Sequence, residues 1–226
     1  MKKIKYRHEL KQEISYLDML VLRQRLLAVM QRDSHASDGK YEIRSLYFDN
    51  AKDKALREKI DGVNVREKFR IRCYDKDFSF IKLEKKSKVN GLCLKESAIL
   101  TVEQTQAIMD GNCGWMKDST ESLIREFYIK IMAQGLRPKT IVEYTREPFV
   151  YAAGNVRVTF DYNIRTGMLC TDFFDESCIL VPAGEAPIIL EVKWDEFLPD
   201  IIKDIVKLPN GYVGAFSKYA ACRIYG

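Results

Sequence analysis

The chain has 226 residues, of which 46% are hydrophobic, enough to bury the core of one large domain or of a β-barrel with helical cover. Its 37 basic and 32 acidic residues give a net charge of +5 without a block of like charges, which argues against a disordered basic arm. Six cysteines without a C-x-x-C pair and only two histidines argue against a zinc site and a disulfide framework. No apolar run approaches the roughly 18 residues of a membrane span, and no apolar segment follows the basic N-terminus. We therefore expect a soluble, cytoplasmic protein.

In chain order, strand-like segments alternate with amphipathic helical segments. Strands are predicted over residues 3–14, 41–49, 65–74, 78–86, 92–100, 140–149, 156–161 and 187–194, with shorter ones between 168 and 181. Helices are predicted to begin at Ser15, to run from Thr101 to Gly111, and to cover 51–59, 119–134, 199–207 and 217–225. Turn signals at 75–77 and 90–91 join three of the strands as hairpins. This order predicts an α+β fold, with one domain over residues 1–226 dominated by an antiparallel sheet or barrel.

Four of the predicted strands have charged residues on one face and apolar residues on the other. Successive side chains of a strand point to opposite faces, so residues of one parity share a face. In residues 65–74, for example, Phe69 and Ile71 oppose Arg70 and Arg72. The charged residues of the four strands are Arg66, Lys68, Arg70 and Arg72, then Lys82, Glu84 and Lys86, then Arg157 and Asp161, and finally Glu191 and Lys193.

These charged faces predict a channel. An antiparallel strand with a solvated outer face has the same alternation, so a single strand would not decide the matter. A solvated face usually mixes in Thr, Ser and Gln, however, whereas these four faces are mostly Arg, Lys, Glu and Asp. If the amphipathic helices cover the apolar faces, the charged faces turn toward one another. Since unpaired buried charges cost several kcal/mol each, such a channel must be wet and hold a compensating polyanion.

Phosphate is the anion that suits this set of side chains. Guanidinium groups bind phosphate oxygens in bidentate fashion, and lysine supplies a point charge. The carboxylates of Glu84, Asp161 and Glu191 would repel phosphate unless a divalent cation lay between them. Carboxylate oxygens are hard ligands that suit Mg²⁺ or Mn²⁺. The pattern therefore predicts phosphates together with a metal ion.

Eight short motifs, in the same order and at compatible spacing, resemble the catalytic domain of the vacuolar transporter chaperone (VTC) polyphosphate polymerases, within the triphosphate tunnel metalloenzyme superfamily. They are LYFD at 46–49, FRIRCY at 69–74, LEKK at 83–86, LKES at 94–97, VEYTREPF at 142–149, VRVTFD at 156–161, LEVK at 190–193 and FSKY at 216–219. The resemblance implies an antiparallel eight-stranded β-tunnel with helices outside. It also implies a phosphotransferase that moves the γ-phosphate of ATP onto a growing polyphosphate chain, with Mn²⁺ or Mg²⁺ as cofactor.

The same resemblance implies roles for ten residues. Arg70, Arg72 and Lys218 would hold the transferring phosphate, and Glu191 would bind the metal ion. The other phosphate contacts would be Lys11, Lys86, Lys95, Arg146, Arg157 and Ser217. Lys85 would replace Lys86 if the strand register were shifted by one residue, although the alternation favours Lys86.

Two alternatives to a polymerase stay open. Hydrolytic members of the superfamily begin with Glu-x-Glu-x-Lys, whereas this sequence has Arg7, Glu9 and Lys11. The missing acid argues against a two-metal hydrolase, yet a triphosphate or polyphosphate hydrolase would use the same lining. The second alternative is a non-catalytic module that binds polyphosphate. Nucleic acid is not expected as a partner because Phe and Tyr are not interleaved with the basic positions as stacking platforms. No Walker A motif is present.

Overall fold

One antiparallel sheet organises the computed structural model, in which residues 6–208, 214 and 216–224 are described. The strands are β1 (His8–Ile14), β2 (Gln31–Arg32), β3 (Tyr41–Asp49), β4 (Val65–Tyr74), β5 (Asp77–Val89), β6 (Leu92–Leu100), β7 (Arg137–Tyr151), β8 (Val156–Thr166), β9 (Val181–Pro182) and β10 (Ile188–Trp194). The helices are α1 (Tyr16–Val29), α2 (Lys54–Ile60), α3 (Val102–Met109), α4 (Ser122–Gln134), α5 (Asp200–Val206) and α6 (Lys218–Ile224). The predicted α+β class is confirmed.

The eight longer strands form one path through the sheet. Their order is β1-β10-β8-β7-β3-β4-β5-β6, while the two-residue strands β2 and β9 pair with β7 and β8. The two edge strands of this path meet at an isolated antiparallel bridge between Arg7 and Cys93. The sheet therefore curves into the predicted tunnel-like shape. Among the described residues, one bridge joins its two edges, where a closed barrel would have a continuous ladder of hydrogen bonds. Within the described part of the chain, no helix is long and apolar enough to cross a lipid bilayer.

Two tight turns fix the register of the central hairpins. Residues 75–76 and 90–91 each provide two successive positive φ angles, the geometry of two-residue hairpin turns that match the twist of the strands. The resulting register places Lys86 of β5 opposite Lys68 of β4. Both side chains therefore belong to the inward face, as the alternation predicts.

Most element boundaries differ from the predicted ones by a few residues. The helices predicted to begin at Ser15 and Thr101 have these residues as N-caps, each with a capping box, and α4 ends at Gly135, whose φ is +67°. The first strand, predicted over 3–14, begins at His8, and residues 1–5 lie outside the described residues. The helix predicted over 51–59 begins at Lys54, while β7 and β8 extend beyond the predicted 140–149 and 156–161.

The segment from 168 to 181 corrects the sequence prediction most clearly, since only Val181–Pro182 of the predicted strands is present. The fully buried Arg44 accounts for the difference. Its guanidinium donates hydrogen bonds to the backbone carbonyls of Asp172, Phe173 and Asp175 at 3.3, 2.9 and 2.6 Å. Because these three carbonyls accept hydrogen bonds from a side chain, they are not available to a neighbouring strand.

The apolar faces of the strands point outward and are covered by helices. On one side, Phe69 of β4 stacks on Phe127 of α4 with ring centroids 4.9 Å apart. On the opposite side, Leu190 of β10 belongs to the same buried cluster as Leu22 and Leu26 of α1. The sheet is therefore apolar outside and charged inside, as the sequence predicts.

Helix α6 packs against the inward face of the sheet. Tyr219 and Cys222 of α6 are buried with Ile189 of β10, a residue on the same face as Glu191. Tyr219 donates a 2.8 Å hydrogen bond to Asp49, whose carboxylate also accepts from the backbone amides at the start of α2. Asp49 thus ties β3, α2 and α6 together.

Substituting Tyr219→Phe tests this tie. The variant leaves a buried carboxylate without its hydroxyl donor, so we expect the free energy of unfolding to fall by about 1–3 kcal/mol. Urea denaturation measures the change. Tyr16→Phe, at an exposed tyrosine of α1, is the matched control and should stay within about 0.5 kcal/mol of the native protein. Equal stability of the two variants would contradict the account.

Candidate functional site

The inward face of the sheet encloses two adjoining cavities. The first, here called the arginine cavity, has a volume of about 310 Å³, and the second, called the lysine cavity, about 390 Å³. Six residues line both: Glu9, Lys11, Lys68, Lys86, Cys93 and Ser217. The two cavities are therefore continuous, and together they are called the tunnel below.

All ten residues that the resemblance singled out line the arginine cavity. They are Lys11, Arg70, Arg72, Lys86, Lys95, Arg146, Arg157, Glu191, Ser217 and Lys218. The fold brings them together from eight elements, because β1, β4, β5, β6, β7, β8 and β10 each turn alternate residues inward and α6 starts beside them. Lys85, the alternative to Lys86, faces outward and pairs with Glu126 at 2.5 Å. The contact of these residues with phosphate stays a prediction.

Glu84 is the counter-ion of one group of cations. It accepts from Arg70 at 2.7 Å and from Lys95 at 3.0 Å, and it lies 3.6 Å from Arg72. Burial raises the pKa of Glu84, but Arg70, Arg72 and Lys95 outweigh burial and hold the pKa well below its usual range. Glu84 is therefore ionised in the anion-free protein and orients both arginines of the FRIR motif.

Asp161 plays the same part for a second group of cations. Arg146 binds it in bidentate fashion at 2.6 and 2.7 Å, and Lys218 contacts it at 2.5 Å. Burial raises the pKa of Asp161, yet Arg146 and Lys218 lower it to about 2. Ser217 accepts a hydrogen bond from the amide of Ala220, which caps α6 and sets the position of Lys218.

Glu191 and Glu9 converge on one lysine. Lys11 lies 3.2 Å from Glu191 and 3.3 Å from Glu9, while Lys193 and Lys86 complete the group at 2.7 Å from Glu191 and 2.6 Å from Glu9. Burial raises the pKa of Glu191, but Lys193, Lys11 and Arg146 hold it well below its usual range. Burial also lowers the pKa of Lys193 to about 8, against the opposing effect of Glu191.

Positive charge exceeds negative charge around the arginine cavity. Eleven Arg and Lys side chains line it, together with Glu9 and Glu191. Four further carboxylates contact these cations from behind the lining, namely Asp33, Glu84, Asp161 and Asp195. The cations therefore outnumber the carboxylates by five, and this excess favours a multiply charged anion.

Tyrosines are the lining residues that the sequence prediction missed. Tyr41, Tyr47, Tyr74 and Tyr144 line the arginine cavity, so the argument that aromatic residues are not interleaved with the cations is wrong. Two of them accept hydrogen bonds from cations: Arg157 donates to the Tyr41 hydroxyl and Arg70 to the Tyr47 hydroxyl, both at 2.7 Å. The period-two alternation of β3 could have revealed Tyr41 and Tyr47, but this strand is buried on both faces and shows no polar face.

Burial raises the pKa of Tyr47, but Arg70, Lys68 and Arg72 outweigh burial and lower it to about 7. Glu9 and Lys68 are further lining residues that the resemblance did not assign, although alternation places Lys68 on the inward face.

The acidic residues do not form a metal site of protein ligands alone. Among the described residues, no group of three or more His, Cys, Asp or Glu side chains could hold an ion together. Glu9 and Glu191 nevertheless both approach the position of the Lys11 ammonium group. Mg²⁺ is commonly held by one or two carboxylates plus substrate phosphates, so these residues fit an ion that binds together with phosphate.

A family model for the VTC domain matches residues 6–224. The chain belongs to the VTC domain family. The match includes all eight motifs, which confirms the resemblance drawn from the sequence. A sequence search of curated proteins gave no match.

Two solved structures resemble this VTC domain over most of their length. A protein from Hippeastrum, described as a candidate adenylyl cyclase with a dominant triphosphatase activity, is 14% identical with a TM-score of 0.59. The alignment covers 96% of this chain and 94% of that one. A candidate adenylate cyclase from Bacillus halodurans is 12% identical with a TM-score of 0.54, and 91% and 94% of the two chains are covered. At these identities the likeness shows a shared fold.

Asp161→Asn tests whether the carboxylates of the VTC domain stand in for a bound anion. Without the carboxylate, Arg146 and Lys218 lose their counter-ion, and we expect the free energy of unfolding to fall by about 3–5 kcal/mol. Tripolyphosphate should shrink this deficit because its oxygens replace the lost carboxylate. Urea denaturation with and without tripolyphosphate measures both effects.

The exposed Asp118→Asn is the charge-matched control and should change stability by less than about 0.5 kcal/mol. A deficit in Asp161→Asn that stays the same at saturating tripolyphosphate would contradict an anion site at Arg146 and Lys218.

Proposed function

We propose that this VTC domain is a phosphotransferase that moves the γ-phosphate of ATP onto the end of an inorganic polyphosphate chain inside the tunnel. Catalysis would depend on Mn²⁺ or Mg²⁺. The proposal rests on the cation excess of the arginine cavity, on the family, and on the retained set of ten lining residues.

One observation carries most of the weight: three cations from three elements surround the ring of Tyr144. Lys218 Nζ lies 4.6 Å, Arg146 Cζ 5.5 Å and Arg72 Cζ 5.9 Å from the ring centroid. Arg72 also donates to the Tyr144 hydroxyl at 3.0 Å, so the group is fixed before any ligand arrives. A preorganised cluster of this kind stabilises charge that develops on a transferring phosphoryl group.

The transfer needs no protein nucleophile. A terminal oxygen of the polyphosphate attacks the γ-phosphorus of ATP, a new P–O–P bond forms, the bond to the β-phosphate oxygen breaks, and ADP leaves. Arg70, Arg72 and Lys218 would hold the transferring group, while Lys86, Lys95, Arg146 and Arg157 would hold the neighbouring phosphates. Positioning and charge stabilisation are the main contributions a protein makes to such a step. No general base is required for this step.

The metal ion would bind to Glu191 and Glu9 together with phosphate oxygens. It would neutralise phosphate charge and bridge oxygens of neighbouring phosphate groups. Lys11 lies between the two carboxylates, so its ammonium group would move toward phosphate when an ion is present.

A hydrolase with water as the acceptor is the second candidate, and the triphosphatase activity of the Hippeastrum protein favours it. Arg7 argues against it. The Arg7 side chain lies 2.9 Å from Asp195 and donates to the carbonyl of Asn155, so a cation stands where hydrolytic relatives are expected to have an acid. The site then has one ligand fewer for a second metal ion.

A non-catalytic module that binds polyphosphate is the third candidate. The buried Glu191 suits a metal-dependent enzyme, but it also neutralises Lys193, Lys11 and Arg146. Its presence therefore fits a binding module as well, and activity measurements must separate the two.

Incubation of the purified protein with ATP and Mn²⁺ separates the first two candidates. We expect long polyphosphate, visible as a ladder on a urea gel, together with a matching amount of ADP. Release of orthophosphate without polymer would show hydrolysis and would exclude the polymerase. If neither product forms, a binding module is the candidate that remains.

Glu191→Gln tests the metal role. The amide is a weaker ligand for a divalent cation, so we expect kcat with Mn²⁺ to fall by about 100-fold or more. Polyphosphate binding should stay measurable because the three neighbouring cations remain. Glu185→Gln, at an exposed position, is the matched control. Native turnover in Glu191→Gln would remove the metal role from Glu191.

A further inference from the structure

Lys68 stands where the arginine cavity meets the lysine cavity. It belongs to the inward face of β4 between Arg66 and Arg70, it is partly buried, and it lines both cavities. The family motifs give it no role, because the motif on this strand begins at Phe69. A chain that extends from one cavity into the other must pass it.

Lys68 differs from the two other lysines at this junction because it has no counter-ion among the described residues. Lys86 lies 2.6 Å from Glu9, and Lys11 has two carboxylates within 3.3 Å. Among the described residues, none of the carboxylates comes within 4 Å of Lys68, whose ammonium group lies 5.3 Å from the centroid of the Tyr47 ring. Burial, together with Lys86, Arg70 and Lys11, lowers the pKa of Lys68 to about 7, against the opposing effect of Tyr47.

The cations without counter-ions continue from Lys68 into the lysine cavity. Lys59, Arg66 and Lys88 line this cavity, and within the described parts of the chain none of them pairs with a carboxylate. Both acids of the lining are already engaged: Glu9 binds Lys86, and Glu67 binds Lys85 and Lys130 on the outer face. Burial lowers the pKa of Lys59, and Arg66, Lys11 and Lys88 lower it further.

The two cavities therefore differ in kind. Most cations of the arginine cavity contact carboxylates, whereas Lys68, Lys59, Arg66 and Lys88 contact none of the carboxylates among the described residues. Uncompensated, partly buried ammonium groups are unfavourable unless an anion neutralises them. The anion that reaches them must extend beyond the few phosphates that the arginine cavity holds.

We propose that Lys68 binds a phosphate group of a polyphosphate chain beyond the reacting triphosphate, and that it thereby makes the tunnel select long chains over tripolyphosphate. The inference rests on the proposed function only in that polyphosphate occupies the tunnel, and it does not require synthesis. The bound phosphate replaces the missing counter-ion, so Lys68 becomes fully protonated when the chain arrives.

Proton uptake on binding therefore accompanies the length preference. Charged and titratable groups from the neighbouring elements line the two cavities together with Lys68: Arg66 and Arg70 on β4, Tyr47 on β3, Lys86 on β5, Cys93 on β6, Glu9 and Lys11 on β1, Lys59 on α2 and Tyr219 on α6. An arginine at this position would stay charged at every pH of interest and take up no proton. The difference between the native protein and Lys68→Arg isolates the contribution of Lys68 from that of the other groups and of the phosphates.

Isothermal titration with tripolyphosphate and with size-fractionated long-chain polyphosphate tests the proposal, in buffers of different ionisation enthalpy at pH 8. We expect Lys68→Met to weaken long-chain binding about tenfold and tripolyphosphate binding about twofold or less. Lys68→Arg should keep the long-chain affinity of the native protein but take up fewer protons. Lys117→Met, at an exposed lysine of residues 114–118, controls for the loss of one charge.

Equal weakening of both anions in Lys68→Met, or no weakening of either, would overturn the proposal. Unchanged proton uptake in Lys68→Arg would overturn it as well. Lys68→Met loses an uncompensated cation, so it should melt no lower than the native protein, which keeps the binding result interpretable. If the native protein makes no polymer from ATP but Lys68→Met still loses long-chain affinity selectively, the polymerase proposal fails and this one stands.

Discussion

The structure depends on one electrostatic constraint: the inside of a single sheet contains more cations than carboxylates. Burying uncompensated charge is costly, so the interior must stay hydrated and must be completed by an anion. The same constraint explains why the charged face of the sheet points inward, while its apolar face points outward and is covered by helices such as α1 and α4. Helix α6 instead packs against the inward face and brings Lys218 to the cations of the strands.

The carboxylates of the tunnel have two roles, as counter-ions that position the cations and as candidate ligands of a metal ion. Glu84 and Asp161 hold arginines and two lysines in place, which keeps the cluster around Tyr144 preorganised. Glu9 lines both cavities and Glu191 lines the arginine cavity, and their oxygens, which contact Lys11, could serve lysines or a metal ion bound with phosphate. On the proposed function, phosphate binding exchanges one set of counter-ions for another, and the energetic cost of assembling the cations is met during folding.

Much of this site could be predicted from the sequence, for a physical reason. A strand has a strict period of two, so the parity of Arg70, Arg72 and Lys86 alone assigned them to one face, and the family motifs supplied their partners on other strands. What the sequence could not predict depends on contacts between distant segments. The tyrosines of β3 stayed hidden because both faces of that strand are buried, and the segment after Gly167 was misjudged because Arg44 holds its backbone. That none of the carboxylates among the described residues lies within 4 Å of Lys68 can likewise be seen only in the folded structure.

A crystal structure of the protein with tripolyphosphate tests the central claim most directly. The account predicts density for the anion inside the arginine cavity, with oxygens in hydrogen-bond contact with Arg72, Arg146 and Lys218. It also predicts that the Lys218 ammonium group shifts from Asp161 toward the anion. Density confined to the outer surface, or a tunnel whose ion pairs are unchanged at saturating tripolyphosphate, would contradict the account.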